Sequence, residues 1–254
     1  MSTWVLLRGL TRESRHWGAF PQTLARQWPA ARILTPDLPG NGRLYRLQSP
    51  STVEAMAADC RARLLAQGER PPFHVLAMSL GAMVAVAWAN AQPDEIAAGV
   101  LINTSLRPFS PFHQRLRPGN YAALLGLMLR RHETQVQEVR AREALVLAIT
   151  SRMCVDAAAV LDDWVAYRRE CPVSRANALR QLLAAARYRA PPQRPAAPIL
   201  VLAGAQDRLV DPRCSERLAQ QWSAPVALHP SAGHDLPLDD GPWVAAQARE
   251  WMPA

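Results

Sequence analysis

The chain alternates short runs of nearly continuous apolar residues with longer stretches in which apolar residues recur at helical spacing. Residues 4–7, 31–34, 73–77 and 98–102 are runs of the first kind, and residues 53–66 and 82–91 are stretches of the second. A strand that is apolar on both faces has both faces covered, and strands of that kind separated by helices make a parallel sheet sandwiched between helical layers. The rhythm changes after Arg107. Residues 120–131, 134–151, 155–169 and 173–188 keep a helical period and contain no convincing strand. Pro191, Pro192, Pro195 and Pro198 then break the helical stretch. Residues 199–203 and 226–229 resume the strand pattern, and residues 243–251 close the chain as a helix. The pattern predicts a sheet domain formed by residues 1–106 and 191–254, with a helical insertion over residues 107–190.

With 254 residues, 49% of them hydrophobic and 20% charged, the composition is that of a globular chain able to bury a large core. All 29 basic residues are Arg, and Lys is absent. Schiff-base chemistry, a P-loop Lys and a Lys general base are therefore excluded. Cys60, Cys154, Cys171 and Cys214 form no C-x-x-C pair and have no His at zinc-ligand spacing, so free thiols in a reducing compartment are expected. The first residues carry no positive segment before a short apolar run that reaches Arg8. No signal peptide or membrane span is expected, and the cytoplasm is the expected location.

The sharpest chemical feature is Ala77-Met78-Ser79-Leu80-Gly81, directly after one apolar run and directly before a helical stretch. A Ser on so tight a strand-to-helix turn needs small residues two before and two after it, so that strand and helix can pack closely. Its hydroxyl then stands at the carboxyl edge of the sheet, beside the positive end of the following helix.

At these residues the chain resembles the α/β-hydrolase superfamily, with Ala77 in place of the first Gly of its G-x-S-x-G elbow. The family orders its triad as Ser, acid, His. Asp207 follows residues 204–206 just past one strand, and His234 follows Ser231-Ala232-Gly233 past the last strand. The resemblance implies that Ser79 is the nucleophile, His234 the base and then the acid, and Asp207 the carboxylate that orients the imidazole. Asp211 is the alternative acid; His229, within a strand, and His74, on the strand before the elbow, are the alternative bases. Asp37-Leu38-Pro39-Gly40-Asn41-Gly42 is similar to the family's turn after the second strand. The first loop arrives within ten residues of Met1, so the leading strands of many members are missing. A compact, mainly parallel sheet of about six strands is expected, with helices on both faces and residues 107–190 as a helical cap.

By the same resemblance the oxyanion donors are the backbone N–H groups of Leu10 and Leu80. The family commonly has His-Gly where this chain has Arg8-Gly9, and two readings of Arg8 stay open: a buried Arg paired with a carboxylate, or a cation beside the oxyanion. Trp17, Met128, Leu129 and Trp164 are candidates for the substrate pocket. Dehalogenases and epoxide hydrolases of the fold carry Asp at the elbow, and its hydroxynitrile lyases use a Lys, so the resemblance implies a serine esterase forming an acyl-enzyme. No metal-ligand cluster and no G-x-G-x-x-G after a strand is present, and neither metal nor cofactor is expected.

Residues 107–194 hold 15 Arg against 7 Asp and Glu, which is the whole of the formal excess of +8. The basic residues are scattered along helices without interleaved aromatics, so nucleic acid is not an expected partner. Two readings of the charge remain: solubilised helices, or a docking face for an anionic substrate or an acidic carrier protein bearing the acyl group.

Overall fold

The computed structural model describes residues 2–129 and 135–252. Six strands form one parallel sheet: β1 (Thr3–Leu7), β2 (Arg32–Leu34), β3 (Phe73–Met78), β4 (Ile96–Ile102), β5 (Ile199–Gly204) and β6 (Val226–His229), in the order β2-β1-β3-β4-β5-β6. Every pairing is parallel, which requires a crossover after each strand. The inner strands are buried along both faces, and alternate side chains feed two separate cores.

On one face Val5, Leu7, Val75, Ala77 and Val201 pack under α2 (Val53–Ala66) and α3 (Leu80–Ala91). On the other, Trp4, Leu6, Leu76, Val100 and Leu202 pack under α1 (Phe20–Gln27) and the last helix (Leu236–Trp251). The helix α3 is apolar on every side and buried from Leu80 to Ala89, as expected of an element held between a sheet and its neighbours.

Between β4 and β5 come α4 (Phe112–Arg115), α5 (Tyr121–Leu129), α6 (Val136–Thr150), α7 (Ala157–Glu170) and α8 (Arg175–Arg187). The ends of this segment meet, since Ala190 N donates to Arg107 O at 2.7 Å. The segment returns to the sheet's carboxyl edge through buried polar contacts. Gln181, fully buried on α8, donates to Asn41 Oδ1 and Ser49 Oγ and accepts from Thr11 N.

The crossover from β5 to β6 contains α9 (Arg213–Trp222), which the sequence pattern left unassigned although Cys214, Leu218, Ala219 and Trp222 are buried at helical spacing. The closing helix, α10 (Leu236–Trp251), starts earlier than expected; it is broken at Asp240, whose backbone leaves the helical region just before Pro242. The four cysteines are unpaired. Among the described residues no helix is long and apolar enough to cross a membrane.

Candidate active site

Three strand ends converge at the carboxyl edge. Ser79 joins β3 to α3 with φ 54° and ψ −117°, a conformation few residues other than Gly adopt. The neighbours hold it there. Ser79 N donates to Ile102 O at 2.9 Å, and Thr104 Oγ1 donates to Ser79 O at 3.2 Å. The small residues expected around the elbow have a visible cause. A Cβ on Gly81 would lie 2.4 Å from Leu7 O, so only Gly lets α3 start against the end of β1. Ala77, two residues before the Ser, is fully buried.

The loops carrying Asp207 and His234 are brought together in the same way. A Cβ on Gly204 would lie 2.4 Å from both Ala232 O and Gly233 O, so the loop after β6 rests directly on the end of β5. The contact places His234 Nδ1 2.7 Å from Asp207 Oδ2, with both side chains buried. The other Asp207 oxygen accepts from Leu209 N and Val210 N at 2.7 and 2.9 Å, which fixes the carboxylate and leaves it no unpaired oxygen.

The alternatives to these residues are occupied elsewhere. Asp211 is gripped by Arg213 in a forked pair, which holds its carboxyl below the usual range. His229 accepts from Ser231 N and Ala232 N, and its other nitrogen faces Asp240. His74 stacks on Trp4 at the opposite end of β3, and burial lowers its pKa.

Two positioning residues escape the sequence reading. Asn103, just past β4, has φ 45° and is buried; its amide donates to Gly233 O and His234 O, and its oxygen accepts from Gly204 N. One side chain thus ties the end of β4, next to the Ser79 strand, to the loops after β5 and β6. The available signal was a polar residue able to adopt the left-handed conformation at the end of an apolar strand. Asp239 accepts from Gly233 N at 2.6 Å and from Arg152 N and Met153 N, joining the base loop to the end of α6.

Arg8 is a buried Arg paired with a carboxylate: it donates to both oxygens of Asp235, at 3.0 and 2.6 Å, and its guanidinium lies over the Trp17 ring. Asp235 follows His234, so the pair pins the His234 loop to the end of β1. Leu10 lies past Gly9, and Leu80 is the first residue of α3. Neither amide is taken by a protein acceptor among the described residues.

Two cavities meet at Ser79. One, of about 110 Å³, passes His234 and reaches Arg8, Arg12, Glu143 and Arg168. The other, of about 120 Å³, passes Leu80 and is walled mainly by Met83, Phe112, Leu116, Leu182 and Val210; Arg115 also lines it, with its guanidinium donating to Ala185 O and Ala186 O. Leu10, Leu124 and Leu209 border both. Ser79 and His234 share the first cavity without a direct hydrogen bond between them, a gap common in unliganded sites that tighten around substrate.

The expected pocket residues fare differently. Trp17 stacks on Phe20 in the core, and Trp164 lies beneath the Arg12 guanidinium at 4.1 Å, so neither borders either cavity. Each of these aromatics is covered by an Arg that itself faces the cavity, Arg8 over Trp17 and Arg12 over Trp164. The side chains of Met128 and Leu129, on α5, lie outside the described residues. Among the described residues no group of three or more His, Cys, Asp or Glu is placed to hold a metal ion.

Comparison with known proteins agrees with this architecture. A model described as the alpha/beta hydrolase family matches residues 4–247. Over 100 residues the chain is 35% identical to lipase LipV of Mycobacterium tuberculosis, a match spanning 39% of this chain and 36% of that protein. Among solved structures, a thermophilic esterase from Thermogutta terrifontis superposes with a TM-score of 0.71 at 21% identity, covering 99% of this chain and 89% of that one. The esterase RhEst1 from a Rhodococcus species gives 0.75 at 20% identity, covering 98% and 90%. At such identities the two structures share the fold with this chain and nothing more is carried over. With the family model spanning nearly all of it, the chain belongs to the alpha/beta hydrolase family.

Proposed function

We propose that this protein is a serine hydrolase that cleaves carboxylic esters through an acyl-enzyme, with Ser79 as nucleophile, His234 as base and then acid, and Asp207 as orienting carboxylate. The observation that carries the reading is the 2.7 Å contact of His234 Nδ1 with Asp207, beside a Ser held at positive φ on the same cavity. An alcohol is a weak nucleophile, so His234 takes the Ser79 proton as Oγ attacks the ester carbon. Asp207 holds the imidazole in the tautomer that leaves its other nitrogen free, and stabilises it once charged. The oxygen of the tetrahedral intermediate meets the Leu10 and Leu80 amides, with the Leu80 amide at the positive end of α3. His234 then protonates the departing alcohol, and a water deprotonated by His234 releases the acid. Lipase and esterase names among the similar proteins support the ester class.

In this reading residues 107–190 form a cap over the site, whose apolar cavity takes the acyl chain. The cavity's size, close to that of a 150 Å³ cavity that holds benzene, suits a small to medium acyl group. The arginines of that segment bear on the carrier-protein alternative. Arg115 donates to Ala185 O and Ala186 O, Arg117 to Asp207 O, and Arg140 pairs with Asp162. Arg115 and Arg117 are thus held against backbone carbonyls, which leaves those two guanidinium groups less available to a docked acidic partner. The test is Ser79→Ala, which should lower turnover of 4-nitrophenyl butyrate by at least ~10⁴-fold and abolish fluorophosphonate labelling while the fold persists. Labelling that survives the change removes the assignment.

A further inference from the structure

The two cavities differ in chemistry, and His234 assigns a role to each. The leaving oxygen must lie where His234 can protonate it, and His234 borders only the cavity that reaches Arg12. The alcohol part of a substrate therefore points towards the arginines, and the acyl part lies in the apolar cavity beside Leu80.

The alcohol side is lined with charged groups. Glu143, buried on α6, faces two guanidinium groups: Arg12 Nη1 donates to its Oε2 at 2.6 Å, and Arg168 Nε stands 3.7 Å from its Oε1. The Arg12 guanidinium carbon lies over the Trp164 ring, 4.1 Å from its centre, and Nη2 is buried with no hydrogen-bond partner. A guanidinium donor withdrawn from water without an acceptor is unfavourable, and a ligand anion would complete it. The neighbouring Glu143 carboxylate would repel a doubly charged group, so a single carboxylate suits the place better than a phosphate dianion.

We propose that this hydrolase prefers esters of an apolar acid with an alcohol or phenol that bears a carboxylate, and that Arg12 is the residue which recognises that carboxylate. The inference rests on the ester-hydrolase reading. It is tested with two esters of equal shape, 4-carboxyphenyl butyrate and 4-carbamoylphenyl butyrate. The charged ester should have the higher kcat/KM by on the order of tenfold to a hundredfold at low salt, and the gap should narrow as sodium chloride is added. Arg12→Gln, with its fold checked by circular dichroism, should bring the ratio close to one. Moving the charge to the acid should reverse the preference, making methyl pentanoate a better substrate than monomethyl glutarate.

A wild-type ratio of one or less overturns the proposal, as does a ratio unchanged in folded Arg12→Gln or a preference for monomethyl glutarate. The wild-type comparisons need no variant, so a misfolded Arg12→Gln leaves them decisive. Fluorophosphonate labelling of Ser79 separates the two levels. If labelling occurs and the charged ester is not preferred, only this inference falls; if the wild type is not labelled and cleaves neither ester, the ester-hydrolase reading falls with it.

Discussion

The carboxyl edge of the sheet and the helices laid over it are held in different ways. At the edge, order comes from backbone pressed against backbone: Gly81 against Leu7 O, Gly204 against Ala232 O and Gly233 O, and a single Asn103 amide joining three chain segments. In the helical segment, order comes from long side chains reaching across gaps. Arg12 reaches Glu143, Arg15 bridges Glu13 and Glu170, Arg117 reaches Asp207 O, and Gln181 reaches Asn41 and Ser49. The first arrangement leaves the backbone around Ser79 and His234 little room to shift. The second leaves room between the helices and the edge, which is where the cavities lie. The residues placed as chemical groups sit on the rigid part, while the walls that choose a substrate come largely from the side chains that bridge to it.

That contrast can be broken most severely at the glycines. Gly81→Ala and Gly204→Ala each drive a Cβ into backbone oxygens that have nowhere to move, and each should destabilise the fold by about 3 kcal/mol or more or prevent its recovery. Gly126 on α5 meets nothing within 4 Å, so Gly126→Ala should be neutral or stabilising by up to ~1 kcal/mol. Thermal unfolding of the three variants decides it, and equal losses would erase the distinction drawn between the two regions.

Asn103→Ala comes next in size. It removes partners from Gly204 N, Gly233 O and His234 O, costing about 2–3 kcal/mol by denaturant titration. Since the same bonds set where His234 stands, kcat should fall more than KM rises. A loss of stability with unchanged kcat would make Asn103 a packing residue only.

The smallest effect concerns pH at the boundary between the regions. His16 packs against Trp164 and Tyr167 of α7, and burial, reinforced by the Arg12 and Arg8 charges, holds its pKa well below the usual 6.5. Above about pH 6.5 the imidazole is neutral in both the folded and the unfolded chain, and its contribution is fully present. As pH falls through 6.5 the unfolded chain takes up a proton that the folded chain refuses, so stability declines. The raised pKa of Glu13 has the opposite sign, because a carboxyl group that keeps its proton longer when folded stabilises at low pH and stops doing so as pH rises. The difference between wild type and His16→Gln cancels that term. Unfolding midpoints from pH 7.5 to 5.5 should fall more steeply for wild type, and parallel curves would place His16 outside the balance.

The strands and Ser79 could be read along the chain because their signals are local. An apolar run of five residues, a Ser between small residues and a helix period all lie within a dozen positions. Asp207 and His234 are legible only through the family's chain order as well as local pattern, since residues 27 apart meet only because both follow neighbouring strands. Asn103 and Asp239 gave little warning, because their work is done by bonds to segments far away in sequence. Trp17 and Trp164 are hard to place along the chain for the converse reason: an aromatic residue in a loop or on a helix carries no mark of whether it faces a cavity or lies beneath an Arg.

The sequence by itself determined the parallel sheet, the elbow at Ser79 and the lodging of the whole positive excess in residues 107–194. Periodicity, chain order and charge are properties of the chain, and they survive without coordinates. Only the tertiary structure decided that Asp207 rather than Asp211 meets His234, that Arg8 is neutralised by Asp235, and that one side of Ser79 is apolar while the other is lined with arginine. Those outcomes depend on which distant side chains come within a few ångströms of one another, because hydrogen bonds and ion pairs act at that range and linear spacing does not report it.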